Sequence, residues 1–379
     1  MGKNTIIFVV FFLTAGAAFC QEMSFEEYAP KSTLVVPEHV TKRAKFPFID
    51  VHNHQFNMPN QDLTEVVAEM DKLNMAVMVN LSGRGFNRIE NPDGSFSLGL
   101  NDSDFLKAAV ANAKQAAPGR FIVFTNIDFT GIGNAGWTEK ATADLERDIR
   151  NGAQGLKIYK NLGLEVKDTS GKRVPVDDER LDPIWAKCGE LGVPVLIHSG
   201  DPAPFWSPHD KHNERWLELK QRPGRYRYPI KDDPSFDGVM NAQFNVFRKH
   251  PNTTFISAHM AWMANDLAKL GKILDEIPNM YTEIGAIIYE PGRQPRFAKE
   301  WFTKYQDRVL FGKDVWAPEE YYVYFRVLET ADEYFDYYRK RHAFWKMYGL
   351  ALSDDVLKKL YYKNALKIIP GIDASMFPE

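Results

Sequence analysis

The stretch Phe46-Pro-Phe-Ile-Asp-Val-His-Asn-His54 decides how the rest of the chain is read. A short apolar run ends in two histidines one residue apart. In an extended chain residues i and i+2 point the same way, so His52 and His54 can reach one ion from the end of a strand. Alone, a His-x-His pair is a weak signal. Its weight comes from three other strand-like runs that close on a metal-binding residue type: Val193 to His198, Thr254 to His259 and Val309 to Asp314. Parallel strands closed into a barrel carry their C-terminal ends to one face, where residues distant in sequence converge.

Working outward, strand-like and helix-like runs alternate. Residues 63–73 carry apolar side chains at helical spacing, and 75–81 read as a buried strand. A helix over 101–116 is capped by Asn101 or Asp102, and strand 121–127, a helix around 140–150 and strand 155–159 follow. Helix 178–191 leads into the His198 strand, helix 238–250 into the His259 strand, helix 265–275 into strand 280–283, and a helix near 296–305 into the Asp314 strand. Eight such units predict an α/β fold, a single-domain (β/α)8 TIM barrel over residues 45–370, with long loops after its strands and a C-terminal helical extension. An open doubly wound sheet would leave edge strands and usually has fewer of them.

The loops are unequal. Residues 199–235 form a segment far longer than such connections usually are, stiffened by prolines and crowded with Phe205, Trp206, Trp216 and Tyr226, which predicts a lid over the mouth with Trp206 as a substrate wall. Residues 82–88 and 289–293 are further insertions, whose Arg84, Arg88 and Arg293 are candidates for reading an anionic substrate, since guanidinium forks bind carboxylates at two points. The segment 321–346, dense in Tyr, Phe and Glu, is expected to be a structural pair of amphipathic helices.

The chain has 379 residues, 44% of them hydrophobic, enough for one large core. Lys3, the apolar run Ile6 to Leu13 and the small residues from Ala15 to Cys20 describe a secretory leader over residues 1–20, too short to span a membrane, which predicts a secreted or periplasmic protein. A cysteine after an apolar segment can carry a lipid, but Phe19 is bulkier than lipoprotein signals accept, so soluble export is the reading for Cys20. Cleavage leaves Cys188 as the one cysteine and no intrachain disulfide; an inert buried thiol is expected. The formal charge of -3 and the lack of a basic stripe argue against nucleic acid, and no mature apolar stretch spans a bilayer. A small molecule is the expected partner, and the oligomeric state is not encoded in any pattern of this kind.

The ordered set of ligand types resembles the amidohydrolase superfamily, and more closely its single-domain amidohydrolase-2 branch of metal-dependent hydrolases and decarboxylases. The resemblance spans roughly residues 46–318 and includes the Phe311-Gly-Lys-Asp314 turn, similar to that branch's Phe-Gly-x-Asp ending. Neutral imidazoles of His52, His54 and His198 suit Zn²⁺ or a similar first-row ion such as Mn²⁺, with Asp314 as an oxygen ligand or neighbour. Such an ion supplies an activated water. Asp314 is the expected proton acceptor and His259 the group that polarises the substrate oxygen. Dinuclear members of the superfamily carry a carboxylated lysine in strand four, the place of Lys157; the branch resembled is mostly mononuclear, so one ion is expected, or two if Lys157 is carboxylated. Otherwise Lys157 is a cation for a substrate carboxylate. Metal-dependent hydrolysis of an amide, ester or lactone is the leading expectation, with non-oxidative decarboxylation and a non-catalytic metal-binding barrel as alternatives.

Overall fold

A computed structural model describes residues 23–90, 96–229 and 234–378. The leader expected over residues 1–20, with Cys20, lies outside the described residues. Residues 23–35 belong to a small unit of their own, in which Tyr28 N–H closes a turn on the Ser24 carbonyl at 3.0 Å. Everything that follows concerns the second unit, residues 36–379.

Its strands are β1 (Phe48–Asn53), β2 (Met75–Asn80), β3 (Phe121–Val123 continued by Thr125–Asn126), β4 (Leu156–Ile158), β5 (Val195–Ile197), β6 (Phe255–Ser257), β7 (Met280–Glu283) and β8 (Val309–Leu310). Each pairs in parallel with the next: Phe48 opposite Met75, Met78 opposite Phe121, Thr125 opposite Leu156, and Leu156 opposite Val195. Val195 and then Met280 flank Phe255, and Thr282 faces Val309. Phe124 interrupts β3, yet its N–H reaches the Asn80 carbonyl while the next N–H, from Thr125, reaches Gly155 on the other side, both at 2.9 Å. Gly155 is required there, because a Cβ would sit 2.4 Å from the Phe124 ring. The circle joins at β1 and β8, where Val51 N–H donates to the Phe311 carbonyl at 2.9 Å. The strands are buried on both faces, as parallel strands between a filled interior and an outer helical layer must be. This is the TIM barrel that the strand pattern predicts.

The helices form where the sequence supplies both a stripe and a cap. Leu63–Leu73 buries Leu63, Val66, Met70 and Leu73, starts on the Asp62 carboxylate, which accepts from Thr64 N–H, and ends at Asn74 with φ 69. Ser103–Ala116 is capped by Asp102, one of the two residues expected, and Phe236–Lys249 by Ser235. Residues 86–90 and 96–100 add an antiparallel hairpin after β2.

The segment 321–346 departs from expectation. Only Tyr321–Glu329 is helical; beyond it the chain runs without a second helix, closed by a bridge between Phe335 and Met347. The turn is held by the buried Asp332 carboxylate, which accepts from the distant His39 N–H and from Arg326 Nε–H, so tertiary side-chain bonds replace a helical ladder. The C-terminal extension is helical. Its widened turn at Lys359–Lys363 presents the Leu360 carbonyl to Phe311 N–H at 3.0 Å and so braces the end of β8.

The long segment after β5 contains a 3-10 turn at Ala203–Trp206 and a short helix at Trp216–Gln221, with residues 230–233 outside the described residues. Arg215 anchors it: the guanidinium pairs with Glu218 and donates to the Tyr289 hydroxyl beyond β7. No helix among the described residues is long and apolar enough to cross a membrane.

Candidate metal centre

The C-terminal ends of the strands set the site. β1 delivers His52 and His54, β4 Lys157, β5 His198, β6 His259, β7 Glu283, and the turn after β8 Asp314. Asp50 braces the first and last of these: its buried carboxylate accepts from His52 N–H (3.0 Å), Lys313 N–H (3.1 Å), Asn53 Nδ2 (3.0 Å) and the Tyr321 hydroxyl (2.6 Å). Burial pushes Asp50 up to about 6 in spite of these bonds.

His52 Nδ1 lies 2.9 Å from Glu283 Oε1. Burial would raise the Glu283 pKa, but His52 and the backbone N–H of His259 outweigh it and hold the carboxyl down at about 2. An ionised carboxylate only accepts, so the proton of His52 is on Nδ1. Burial, then the nearby Lys157, lowers the His52 pKa to about 3 and keeps the ring neutral. Its Nε2 therefore carries the lone pair, which faces Asp314 Oδ1 at 3.4 Å and Lys157 Nζ at 3.5 Å. His54 Nε2 approaches the same oxygen at 3.5 Å, while its Nδ1 lies 2.7 Å from Ser82 Oγ. Burial lowers the His54 pKa too.

Asp314 reaches this position through a left-handed backbone (φ 85) and a 2.6 Å bond from its N–H to the His52 carbonyl. Burial alone would raise its pKa, yet the neighbouring imidazoles of His54, His52 and His259 hold it well below the usual carboxylate range. Gly312 makes the turn fit, since a Cβ there would lie 2.5 Å from Glu283 Oε2 and 2.9 Å from His52 Cβ. Lys157 is buried with Nζ 3.5 Å from His52 Nε2, and burial lowers its pKa to about 7.

His259 opens a run of left-handed residues ending at Trp262. Its Nδ1 is 2.6 Å from the Gly285 carbonyl, an obligate acceptor, so Nε2 is bare and faces His198 Nδ1 at 3.3 Å. His198 Nε2 is buried without a partner.

These separations suit a metal. Two ligands about 2.0–2.1 Å from a tetrahedral ion stand about 3.3–3.4 Å apart, close to the 3.3–3.5 Å found across His52, His54, Asp314 and Lys157 and across His198 and His259. Donor atoms of His52, His54 and Asp314 lie within 4.8 Å of one another, as do those of His52, His259 and Glu283. The second trio is a hydrogen-bonded group, because Glu283 meets His52 on Nδ1, the nitrogen turned away from Asp314. His198 belongs to neither trio, its ring being engaged with His259.

The other sequence candidates are placed differently. Arg84 is buried, with Nε bonded to the Asn101 carbonyl at 2.7 Å. Arg293 is taken up by Glu214 and Glu290 and lies 4.0 Å over the Trp345 ring. Trp206 donates Nε1–H to the Pro234 carbonyl and packs on Phe236. The indole beside the histidines is instead Trp262, 4.5 Å from His259 and 5.8 Å from His198. The Arg88 side chain lies outside the described residues. Glu283, Asp50, Ser82 and Trp262 escape the sequence reading, although Glu283 carries the same signal as the histidines: a ligand-type residue ending a strand. A cavity of about 240 Å³ is lined by Phe86, Phe129 and Tyr159 together with Lys157 of the centre.

The sequence profile of the amidohydrolase family matches residues 49–370. No curated protein sequence matches the chain. Among solved structures, a TIM-barrel protein of Bordetella bronchiseptica is 17% identical, with a TM-score of 0.51 over 85% of this chain and 97% of its own. A dihydroxybenzoic acid decarboxylase of Polaromonas sp. JS666, solved with manganese and 2-nitroresorcinol, is 14% identical at a TM-score of 0.51, over 85% of this chain and 96% of its own. A 4-oxalomesaconate hydratase of Rhodopseudomonas palustris is 13% identical at 0.50, over 87% and 97%. These likenesses are of fold. With the profile covering most of the barrel and the ligand-type residues standing at its mouth, the chain belongs to the amidohydrolase family.

Proposed function

We propose that this protein is a metal-dependent hydrolase of a small amide, ester or lactone. The observation that carries the reading is the position of Asp314 Oδ1, 3.4 and 3.5 Å from the Nε2 atoms of His52 and His54. That places an ionised carboxylate, which can ligate and accept a proton, beside two bare imidazole nitrogens. His52, His54 and Asp314 would hold a divalent first-row ion, zinc or manganese, with His198, paired with His259 at 3.3 Å, as the further imidazole ligand proposed. Such an ion supplies Lewis acidity and brings the pKa of a water it binds toward about 7. Asp314 takes up the proton released from water as its oxygen adds to the substrate carbonyl carbon, and returns it to the leaving nitrogen or oxygen as that bond breaks. His259, held through Nδ1–H by Gly285, is the proposed electrophilic partner for the substrate oxygen, a role it performs as an imidazolium with a second proton on Nε2. Export through the leader read over residues 1–20 is part of the proposal; an intact mass beginning at Met1 in protein from the native host would refute it.

One ion is the primary reading. The 3.3 Å contact between His198 and His259 and the lowered pKa of the buried Lys157 amine favour a second, in which Lys157 is carboxylated and two ions are held. Elemental analysis with and without bicarbonate counts them. The cavity lined by aromatic rings and Lys157 supports decarboxylation of a planar acid as the alternative reaction. A screen of lactones, amides and aromatic acids in ¹⁸O-labelled water separates the two. Label at the cleaved bond supports hydrolysis; CO₂ release with solvent hydrogen on carbon replaces it with decarboxylation. Asp314→Asn and His259→Asn should each lower turnover by about a hundredfold or more.

A further inference from the structure

Three hydrogen bonds run from His54 away from the metal centre. His54 Nδ1 lies 2.7 Å from Ser82 Oγ, Ser82 Oγ lies 2.8 Å from the Tyr159 hydroxyl, and that hydroxyl donates to the Leu81 carbonyl at 3.2 Å. The last acceptor fixes the direction of the whole chain. A carbonyl cannot donate, so the Tyr159 proton points at Leu81 and its oxygen must accept from Ser82. Ser82 has then spent its one proton, and its oxygen must accept from His54. The proton of His54 is thereby held on Nδ1, and the Nε2 lone pair is left facing Asp314.

We propose that Ser82 and Tyr159 are positioning residues that set the tautomer and ring orientation of His54 for metal binding. The inference rests on the metal reading above. It assigns the second histidine of the pair a neutral hydroxyl relay, where the first has the ionised Glu283. Neighbouring ligands on one strand thus carry partners of different charge. A hydroxyl orients the ring without adding negative charge next to Asp314. The elements explain why the chain can form: Ser82 lies just past β2, Tyr159 just past β4, and the Asn126 side chain at the end of β3 also donates to the Leu81 carbonyl at 3.0 Å. The Tyr159 ring does a second job. It stacks near His54 at 5.8 Å and near Phe86 at 5.1 Å, as a wall of the cavity.

The test is the affinity of the full-length metal-free protein for Zn²⁺, measured by chelator competition, for the wild type, Ser82→Ala, Ser82→Thr and Tyr159→Phe, with thermal unfolding of each metal-free form. Ser82→Ala should bind zinc about 10–100-fold more weakly, the usual cost of losing the partner of a ligating histidine. Tyr159→Phe should lose less, because Ser82 still accepts from His54 but lacks its own acceptor. Ser82→Thr, which keeps the hydroxyl, should stay within about threefold of the wild type, and the metal-free forms should unfold together. If Ser82→Ala and Tyr159→Phe both bind zinc as the wild type does, the proposal is wrong. It is equally wrong if a normally folded Ser82→Thr falls as far as Ser82→Ala, since packing rather than the hydroxyl would then matter. A wild type that takes up no zinc or manganese instead overturns the underlying metal reading.

Discussion

Glu283 Oε1 accepts from His52 Nδ1–H at 2.9 Å with both side chains fully buried, so one carboxylate fixes the tautomer of the first histidine of the pair. The same oxygen takes the His259 N–H at 2.7 Å, and Oε2 takes that of Gly285, which ties β1, β6 and the β7 loop to one group.

Glu283→Ala is therefore expected to weaken metal binding by about 10–100-fold. It also leaves buried N–H groups unmatched, at about 1–3 kcal/mol each, which denaturant unfolding would register. The acid limb follows from the same pair. The folded-state pKa lies at about 2, below the ordinary 4.5, so the contribution is complete above 4.5 and disappears as pH falls toward 2. Glu283→Gln should lack that part of the acid dependence; an unchanged acid limb would remove Glu283 from it.

Lys157 has the opposite charge and the opposite sign. Burial lowers its pKa from 10.5 to about 7, so in that window folding must strip a proton that the unfolded chain keeps, and stability falls progressively as pH drops from 10.5 to about 7. Lys157→Met should accordingly be more stable than the wild type at pH 7, with the gap closing toward pH 10. Its metal affinity should also vary less with pH near 7, because no ammonium then forms 3.5 Å from His52 Nε2. Melting and metal titration over pH 6 to 10 check both statements.

Gly312→Ala should abolish metal uptake while Gly224→Ala leaves it intact. At Gly312 an added Cβ meets Glu283 Oε2 at 2.5 Å and His52 at 2.9 Å; at Gly224 it meets nothing within 4 Å. Full uptake by Gly312→Ala would show that the turn before Asp314 can shift without consequence.

Arg215→Met should cost about 3 kcal/mol, the lower part of the range for breaking a buried ion pair, because Arg225 still reaches Glu218 at 2.7 Å. The double variant Arg215→Met/Glu218→Leu should recover part of the loss, since no buried carboxylate is then left with a lost partner. Denaturant midpoints of the three proteins decide it.

The sequence by itself determined the barrel and the order of the ligand-type residues at its mouth. Buried runs alternating with capped apolar stripes specify strand and helix locally, and a ligand type closing a strand needs only the strand's direction to be placed at the mouth. His52, His54 and Asp314 converge for that reason. The helix expected in the latter part of 321–346 failed because its aromatic spacing is helical, but the bonds that hold the turn come from His39 and Arg326 through Asp332, and tertiary partners leave no periodic trace. Arg84 and Arg293 meet partners that the sequence does not announce: a guanidinium reads the same whether it meets a substrate, the Asn101 carbonyl or Glu214. Only the tertiary structure decided which nitrogen of each histidine carries the proton and which is left bare. That choice depends on what sits behind the ring, Glu283 for His52, Ser82 for His54 and Gly285 for His259, and those partners arrive from other strands. Spacing along one strand fixes where a side chain starts; the acceptor across the barrel fixes where its lone pair points.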